Sequence, residues 1–538
     1  MQNKFMVGIL IKLLRAACFP TNFRFHKSLA DPQIAQQDTY WKIMADFAQT
    51  DYAKSFGITG EENYKEFAAK VPIQTYEELE PWIDRQLKFP TSKILTPHKI
   101  VHAEPTSGST SNTKHIPYTG KLVNSFSNLF GIWAYDLLQS GLKLETGRIF
   151  ISVSPKPGNP KQKGFQSDKE YLQEPLKSLA SQFLLTPPAT TDSAQFQHAL
   201  AMTLLADKRL EIISVWSPTY MLSILEYIEQ NKQTLQKSVI LRTLPFLDDT
   251  PIDWQKVWPK LKLISCWDDA SAELAANQLK KCFPGVRIQG KGLLATEAPF
   301  TVPLCDAEGC LPLLNDVFLE FEDSQGAIKR LHELVDHEQY QVIVTQNSGL
   351  TRYRMNDIVE VRGFYRKTPM LEFIGRANAV CDLAGEKLHE EFVRNALTPL
   401  LSDSFLVVPN CEKDLGYMML VDSRTPINQD ELVEKAEEAL CNAHHYKLAR
   451  TQNQIAALEI QLVENLTMRL QDFYQSEGMK LGNIKDTAFI NDPAKAARLL
   501  SFISEKKQNN QPLRVSLLEE STVSLPGFLQ PDRLEVGS

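Results

Sequence analysis

Cysteine is scarce in this sequence, and its few positions do not predict disulfides or a zinc site. The chain has 8 cysteines among 538 residues, scattered along its length. Secreted domains that rely on disulfides are richer in cysteine, so we expect reduced thiols and a cytoplasmic protein. Two groups lie close together, but neither has the paired ligand spacing of a zinc site: Cys305 with Cys310, and Cys441 with His444 and His445. We expect no metal other than one that the chemistry itself requires.

An excess of positive charge is also missing. Lys and Arg number 58 against 65 Asp and Glu, which gives a net charge of -7. Proteins that bind a nucleic-acid backbone usually present a basic field, so we expect no nucleic-acid partner. Hydrophobic residues make up 43% of the chain and charged residues 23%, as in ordinary soluble proteins. The length allows more than one domain, and a multidomain enzyme is the natural expectation.

Long hydrophobic runs are absent after the N-terminus. The first residues, "MQNKFMVGILIKLLRAACF", are apolar, but Lys12 and Arg15 interrupt the run. Arg15 stands where a lipoprotein cleavage site needs a small or apolar residue, so an amphipathic surface helix is predicted instead of a leader. No later segment reaches the ~20 apolar residues of a membrane-spanning helix. We therefore expect a soluble protein with no membrane partner.

The pattern of apolar residues predicts an α/β fold. Residues 1–98 show apolar positions three and four apart, which predicts a helical lead-in. After Lys99, short β-branched segments such as "RIFISVS", "LEIISVWS" and "QVIVTQNS" alternate with helical ones, which favours parallel or mixed sheets. After Arg376 the chain has a smaller α+β pattern, including one helix from Pro426 over "PINQDELVEKAEEALCNAHHYKLAR", and it ends in a loosely held tail.

A polar loop in "HAEPTSGSTSNTKHIPYTG" is the first candidate site. It follows the strand-like "KIVHA" and precedes a helix that Thr119 can cap, so we expect it to join a strand to a helix. Its backbone N–H groups and small hydroxyls could wrap a polyphosphate while Lys114 neutralises the charge. A standard P-loop is excluded, since Thr113 stands where that motif has glycine. A solvated linker rich in Ser and Thr would have the same composition. The residues concerned are Thr106, Ser107, Gly108, Ser109, Thr110 and Ser111.

Two further stretches could bind parts of a nucleotide. "KGLLATEAP" ends a predicted strand with Thr296 and Glu297, a hydroxyl and a carboxylate suited to magnesium and phosphate. "VTQNSGLTRYRMNDIVEV" places Arg352, Arg354 and Asp357 in a predicted turn between two strands, where a carboxylate could accept bonds from ribose hydroxyls. A surface hairpin with solvated charges would give the second pattern equally well.

Taken together, these motifs resemble the adenylate-forming enzymes, and specifically the auxin-responsive Gretchen Hagen family of acyl acid amido synthetases. The resemblance begins at "FAQTDYAKSFGITGEENYKEFAAKVPIQTYEELEPWIDR" and continues through "TSGSTSNTKHIPYT", "WSPTYML" and "GLLATE". It extends to "GLTRYRMNDIVEVRGF" and "LEFIGRANAV", in the same order, and so covers nearly the whole chain.

The resemblance implies a set of ATP-binding residues. Ser107, Gly108, Ser109, Thr110, Ser111 and Lys114 would form the phosphate loop. Thr296 and Glu297 would meet the α-phosphate and Mg²⁺, and Asp357 would hold the ribose with Arg376 nearby. This chain departs from the plant members at Leu293 and Leu294, where they usually have an aromatic residue and a glycine.

The resemblance also implies a reaction and a domain organisation. A carboxylic acid would attack the α-phosphate of ATP to give an acyl-adenylate, and an amino acid would then displace AMP. Residues 1–374 would form the N-terminal domain and residues 375–538 a smaller mobile domain, with the hinge near Gly375. That domain would supply a lysine: first Lys485, then Lys480 or Lys387. The proline-arginine pair often found after the lysine is replaced here by Asp486, Thr487 and Ala488.

Two other functions fit the same motifs. An acyl-CoA ligase shares the first half-reaction, and a non-catalytic protein could bind adenylate with the same fold. We expect the acyl pocket to involve the helix after Thr119 and the segment near Trp216. The acid, the amine and the oligomeric state are not specified by these patterns.

Overall fold

From residue 4, where the described chain begins, five helices precede the first strand. Two of them are stabilised at their N-termini by side chains that accept backbone N–H groups: Asp31 caps the second helix, and Asn63 with Glu66 forms a capping box on the fourth. The computed structural model describes residues 4–105, 114–151, 172–187, 193–237, 247, 251–377, 380–384, 386–401, 404–411, 415–424, 428–479, 484 and 486–508. The five helices are α1 (Lys4–Ser28), α2 (Pro32–Phe47), α3 (Asp51–Ser55), α4 (Tyr64–Lys70) and α5 (Tyr76–Lys88).

Helix α1 lies on the surface and is unusually apolar. The stretch Met6–Ser28 is long and apolar enough to cross a membrane by length and composition, and most of it is exposed. A leader sequence or a surface helix can pass the same test, so hydropathy alone does not assign α1 a role. The helix packs on α6 (Gly120–Gln139) and α7 (Leu176–Ser181), and Arg15 lies over the ring of Tyr135 in α6.

The candidate phosphate loop joins two strands, which corrects the expected strand-to-helix connection. Strand β1 (Ile100–Pro105) pairs antiparallel with β2 (His115–Thr119), with Pro105 opposite His115. Helix α6 begins directly after β2. As the sequence predicted, Thr119 caps this helix, because its Oγ1 accepts a bond from the N–H of Leu122 at 3.2 Å. One face of α6 is buried, with Leu122, Phe126, Leu129 and Leu137 among its residues.

A five-stranded parallel sheet follows, in the order β4-β3-β5-β6-β7. Its central strands are buried along their length, as expected for a parallel sheet covered by helices on both faces. The strands are β3 (Arg148–Ile151), β4 (Leu184–Leu185), β5 (Leu210–Ser214), β6 (Leu263–Ser265) and β7 (Arg287–Gln289). The helices after α7 are α8 (Ser193–Ala206), α9 (Pro218–Gln230), α10 (Lys232–Gln236), α11 (Trp254–Val257) and α12 (Glu273–Cys282).

The next seven strands form an antiparallel sheet in the order β11-β10-β12-β13-β14-β9-β8. Together with the parallel sheet it confirms the α/β class with mixed sheets. The strands are β8 (Thr301–Pro303), β9 (Cys310–Pro312), β10 (Phe318–Glu322), β11 (Ile328–Arg330), β12 (Gln339–Thr345), β13 (Tyr353–Tyr365) and β14 (Thr368–Arg376).

The C-terminal part is a smaller α+β unit around the sheet β17-β18-β19. The single helix expected from Pro426 is two helices, because the chain breaks between Leu440 and His444. The strands are β15 (Val380–Cys381), β16 (Leu388–His389), β17 (Phe405–Asn410), β18 (Gly416–Asp422) and β19 (Glu459–Val463). The helices are α13 (Glu390–Leu397), α14 (Gln429–Leu440), α15 (His444–Thr451), α16 (Leu466–Ser476) and α17 (Pro493–Gln508).

A buried ion pair ties the helical lead-in to the antiparallel sheet. The guanidinium of Arg352 donates to both carboxylate oxygens of Glu320, with Nη2 and Oε1 2.8 Å apart. Its Nη1 donates to the backbone carbonyls of Ala68 and Val71, at the end of α4. The two charged side chains are only 5% and 1% exposed, so each depends on the other for compensation.

Replacing Arg352 with methionine should therefore destabilise the fold by about 3–5 kcal/mol, because Glu320 would be left buried without its charge partner. Arg354→Met is the matched control, since Arg354 pairs with Glu322 in the same way but is 31% exposed. That change should cost under about 1 kcal/mol. Denaturant unfolding measures both free energies, and equal losses would contradict the assigned role of Arg352.

Candidate active site

Lys114 lies at the start of β2, where the polar loop ends. Its Nζ is 3.2 Å from Oε1 of Glu77 and 4.9 Å from the centre of the Tyr76 ring. The Lys114 side chain is 20% exposed and Glu77 is 67% exposed, so solvent reaches the pair. Burial alone would raise the pKa of Glu77, but hydrogen bonds, including one from Lys114, lower it. Lys114 is thus paired with a carboxylate at the start of β2.

The loop residues themselves lie outside the described part of the chain. These are Ser107, Gly108, Ser109, Thr110 and Ser111, and their role as phosphate ligands stays a prediction. What the structure fixes is the pair of strands that flank them. Tyr76 anchors β2 here, since its hydroxyl accepts a bond from the N–H of His115 at 2.8 Å.

Thr296 and Glu297 lie in a half-buried bend between β7 and β8, not at the end of a strand as expected. The hydroxyl of Tyr118 in β2 donates to the carbonyl of Thr296 at 2.6 Å. The side chain of Gln346, just after β12, donates to the carbonyl of Glu297 at 3.2 Å. The bend is therefore fixed between β2 and the antiparallel sheet.

Asp357 lies within strand β13, which corrects the expected turn. It is opposite Arg376 on β14, and the Nε of Arg376 donates to its Oδ1 at 3.1 Å. Asp357 is buried, whereas the Arg376 side chain is 36% exposed. The charge of Asp357 raises the pKa of Arg376, and the carboxylate of Glu297 adds to the effect. The resemblance drawn from the sequence motifs places Arg376 near Asp357, and the register of β13 and β14 brings the two residues together.

Tyr353 lies within electrostatic range of three of these carboxylates, and the sequence analysis did not single it out. Burial raises the pKa of its hydroxyl far above the usual value, and the charges of Glu297, Glu77 and Asp357 raise it further. The three carboxylates therefore lie within electrostatic range of one side chain. Backbone pairing also joins Tyr353 to Gln74, next to the α5 segment that carries Glu77. No local signal marks Tyr353, since its importance comes from strand pairing.

Lys291 is a second residue that the motifs did not single out. It is 6% exposed, donates to Oγ of Ser214 at 2.8 Å, and lies over the rings of Trp133 and Trp216. A glycine stands on each side of it. A Cβ on Gly290 would be 2.0 Å from Asp268 Oδ1, and one on Gly292 would be 2.4 Å from Thr301 Oγ1. The "GKG" sequence is thus the signal that could have revealed a tightly packed lysine.

An apolar cavity of about 120 Å³ lies beside Ser214 and Trp133. It is walled by α1, α6, α7 and the strands β3, β4 and β5. Its described lining includes Ile11, Leu14, Phe130, Trp133, Leu137, Ile149, Leu176, Leu184, Ile212 and Ser214. The cavity reaches the carboxyl ends of β3 and β5, the edge at which open α/β sheets bind their ligands.

Of the three candidate lysines in the C-terminal part, Lys485 and Lys480 lie outside the described residues, and Lys387 is exposed.

Asp486, which follows Lys485 in the sequence, contacts the half of the protein that contains the parallel sheet. Asp486 is half-buried and accepts bonds from two hydroxyls at the start of α9, those of Thr219 and Ser217, the latter at 3.0 Å. The segment that carries Lys485 is thus joined to the parallel-sheet half through the residue that replaces the expected proline.

The nucleotide and metal expected from the motifs are compatible with these groups. Arg376 and Asp357 offer a cation and a carboxylate acceptor side by side. Among the residues that the structure describes, no three His, Cys, Asp or Glu side chains form a metal cluster. A magnesium ion at Glu297 would therefore take its remaining ligands from phosphate and water, as Mg²⁺ commonly does. Leu293 and Leu294 are both buried in the core, at 7% exposure each.

Comparison with known families gives matches along most of the chain. Three family models match in order: the GH3 family N-terminal domain over residues 22–245, the central domain over 310–376 and the C-terminal domain over 389–494. The chain belongs to the GH3 family. The resemblance drawn from the sequence motifs is confirmed.

Three of the proteins that this chain resembles match it over most of its length. The indole-3-acetic acid-amido synthetase GH3.4 of Arabidopsis thaliana is 23% identical, over 85% of this chain and 89% of that protein. The structure of the acyl acid amido synthetase AtGH3.15 with 2,4-DB has a TM-score of 0.77 at 19% identity and covers 91% of this chain and 96% of that chain. A 2-hydroxyisobutyryl-CoA ligase in its postadenylation state has a TM-score of 0.56 at 12% identity, covering 89% and 92%. These two structures establish the adenylate-forming fold.

The Asp486 contact predicts a pH dependence of stability. Burial raises the pKa of Asp486 to about 6, although the bonds from Thr219 and Ser217 oppose the shift. The folded protein then keeps a proton that the unfolded chain, with an Asp pKa of about 4, loses first. The stabilisation is full below about pH 4 and is lost as the pH rises through about 6.

Asp486→Asn, which stays neutral, should remove this loss and be roughly 1–2 kcal/mol more stable than the parent at pH 7. Thermal melting of both proteins between pH 4 and pH 7 measures the difference. Asp486→Ala is the control, because it removes the acceptor as well as the charge and should be destabilised at every pH. Identical pH slopes for the parent and the Asn variant would refute the assignment.

Proposed function

We propose that this GH3 protein is an ATP-dependent acyl acid amido synthetase. It activates a carboxylic acid as an acyl-adenylate with release of pyrophosphate, and then transfers the acyl group to the amine of an amino acid with release of AMP. The observation that carries the proposal is that backbone pairing and hydrogen bonds bring three motifs together. Tyr118 of β2 and Gln346 hold the bend with Thr296 and Glu297, and Tyr353, on the strand of Asp357, pairs with Gln74 near the Lys114–Glu77 pair. These residues come from three separate motifs, each suited to a different part of ATP.

Each group has a role that follows from its charge and position. Lys114 and the loop of residues 107–111 would neutralise the phosphates, and Glu297 with Thr296 would hold Mg²⁺ against the α-phosphate. The metal would supply charge neutralisation during the displacement. Asp357 would accept bonds from the ribose hydroxyls. Arg376 orients Asp357, and because its Nε donates to Oδ1, this bond leaves Oδ2 as an acceptor for a ribose hydroxyl.

The acid's carboxylate is a poor acyl donor, because its oxygen is a poor leaving group. Adenylation corrects this: one carboxylate oxygen attacks the α-phosphorus, the bond to pyrophosphate breaks, and AMP becomes the leaving group for the amine. Catalysis of such a displacement depends mainly on positioning and charge neutralisation. The described side chains are of the types that this requires.

We further propose that the C-terminal part moves about a hinge near Gly375 and supplies Lys485 to the first step. In support, the central family match ends at residue 376 and the C-terminal match begins at 389. Three further points stay predictions: the domain division at residues 374/375, the cytoplasmic location, and the lack of nucleic-acid and membrane partners.

Asp357→Asn should lower kcat/KM for ATP by about tenfold or more, because the amide is a weaker acceptor and no longer pairs with Arg376. ATP–pyrophosphate exchange over a panel of acids measures this effect. Glu360→Gln is the control on the same strand, since Glu360 pairs with Arg362 away from these groups, and it should retain the parent rate. Lys114→Ala should weaken exchange in the same way as Asp357→Asn.

The second half-reaction is tested with amino acids and coenzyme A as competing acceptors, with the product identified by mass spectrometry. An amide with release of AMP is the expected result. A thioester instead would make the protein an acyl-CoA ligase. If ATP binds but no acid supports exchange or AMP release, the protein is a non-catalytic adenylate binder and the proposal is wrong.

A further inference from the structure

The apolar cavity and Lys291, which is bound to the lining residue Ser214, together define the kind of acid that would fit. The cavity wall is hydrocarbon apart from Ser214 and the indole of Trp133. Both polar groups are already engaged: Ser214 accepts from Lys291, and Nε1 of Trp133 donates to Gln289 at 2.9 Å. A substrate with hydroxyl or N–H groups on its tail would lose hydrogen bonds to water here without gaining replacements from the described lining.

We propose that this cavity binds the tail of an aliphatic carboxylic acid, with the acid group directed to Lys291. This inference deepens the proposed function by naming its substrate class. Lys291 does not line the cavity, but its Nζ is 2.8 Å from Oγ of the lining residue Ser214 and 5.6 Å from the ring centre of Trp133, so its ammonium group lies directly behind the wall at this point. An apolar cavity with a cation behind one part of its wall matches a molecule with an apolar tail and an anionic head.

The position of Lys291 also suits the reaction. It lies two residues beyond β7 and five residues before Thr296, on the segment that leads from the parallel sheet to the proposed nucleotide residues. The flanking glycines leave no room for a Cβ, so the backbone is fixed where it passes Asp268 and Thr301. A carboxylate held by this lysine would be presented at the carboxyl edge of the sheet, next to the segment that would meet the α-phosphate.

Helix α1 contributes one wall of the cavity through Ile11 and Leu14. The GH3 family match begins at residue 22, so both residues lie outside it. Leu13 is adjacent in sequence but is 50% exposed on the outer side of the helix. Leu14 and Leu13 are therefore a matched pair for a controlled test, because Leu14 lines the cavity and Leu13 faces solvent.

Calorimetric titration of the full chain with hexanoate, octanoate, decanoate and dodecanoate tests binding without requiring turnover. Each added CH₂ should lower Kd about fourfold until the cavity is full, as expected for burial of about 0.8 kcal/mol per methylene. In the Leu14→Trp variant, affinity should stop rising at a shorter alkanoate chain length than in the parent, because the indole occupies part of the cavity. Leu13→Trp should leave the series unchanged. No binding of any alkanoate, or equal effects of the two substitutions, would overturn the proposal.

The carboxylate contact is tested by comparing decanoate with decanamide, which has the same tail and no charge. The parent protein should prefer decanoate by about tenfold or more, and Lys291→Met should abolish the preference. A purely structural role for Lys291 would weaken both ligands equally. If Lys291→Met does not fold, Lys291→Arg provides the second variant: it keeps the charge and should keep the preference. A parent protein that binds the two ligands equally would refute the contact.

Pyrophosphate exchange separates this inference from the proposed function. If indole-3-acetate or 4-hydroxybenzoate supports exchange better than every alkanoate, the substrate class is wrong while the synthetase activity stands. If alkanoates bind with the predicted chain-length dependence but no acid supports exchange, the cavity assignment stands and the proposed function fails.

Discussion

The Arg352–Glu320 ion pair is the constraint on which the arrangement of the site depends. It joins the end of α4 to β10 and sets the start of β13, because Arg352 immediately precedes that strand. Tyr353 and Asp357 follow on the same strand, so their positions relative to the helical lead-in are fixed by this contact. A buried pair of this kind stabilises little overall, but it strongly disfavours arrangements in which either charge loses its partner.

From this constraint the rest of the site is assembled by backbone pairing. Strand β13 places Asp357 opposite Arg376 on β14, and its pairing with Gln74 brings the start of α5 alongside. Strand β2 joins the same region, since Tyr118 holds the bend at Thr296. Among the described residues, the groups that would meet ATP come from distant parts of the sequence, but each is carried on a strand or held by a direct hydrogen bond.

Local sequence patterns predicted the start of a helix well where a single capping residue determines it. Thr119 begins α6 because its side chain can accept a backbone N–H, and that preference needs no tertiary context. The turn expected at Asp357 was wrong because the charged residues suggested exposure, whereas pairing with β14 extends the strand. Asn356, with φ of 62°, and a register shift after Ile358 retain some turn character within β13.

Packing between distant segments explains what the sequence did not reveal. The helix expected from Pro426 divides because Tyr446 and Leu440 share one core. In a continuous helix, residues six apart would face directions about 120° apart. Tyr353 has no local signal, and Lys291 has only its two flanking glycines; the contacts of both come from neighbours that lie far away in the sequence. The loop of residues 107–111, by contrast, was identified from composition, and its contacts lie outside the described residues.

The C-terminal unit shares a core with the helices of the parallel sheet. Leu406, Val408 and Leu420 are fully buried in the same cluster as Leu225 and Ile228 of α9. A rotation of this unit between two half-reactions would have to expose some of that apolar surface to water. Exposure of apolar surface raises heat capacity, so the equilibrium between the two arrangements would change steeply and non-linearly with temperature. The working temperature of the enzyme would then be set in part by this shared core as well as by the chemistry at the nucleotide.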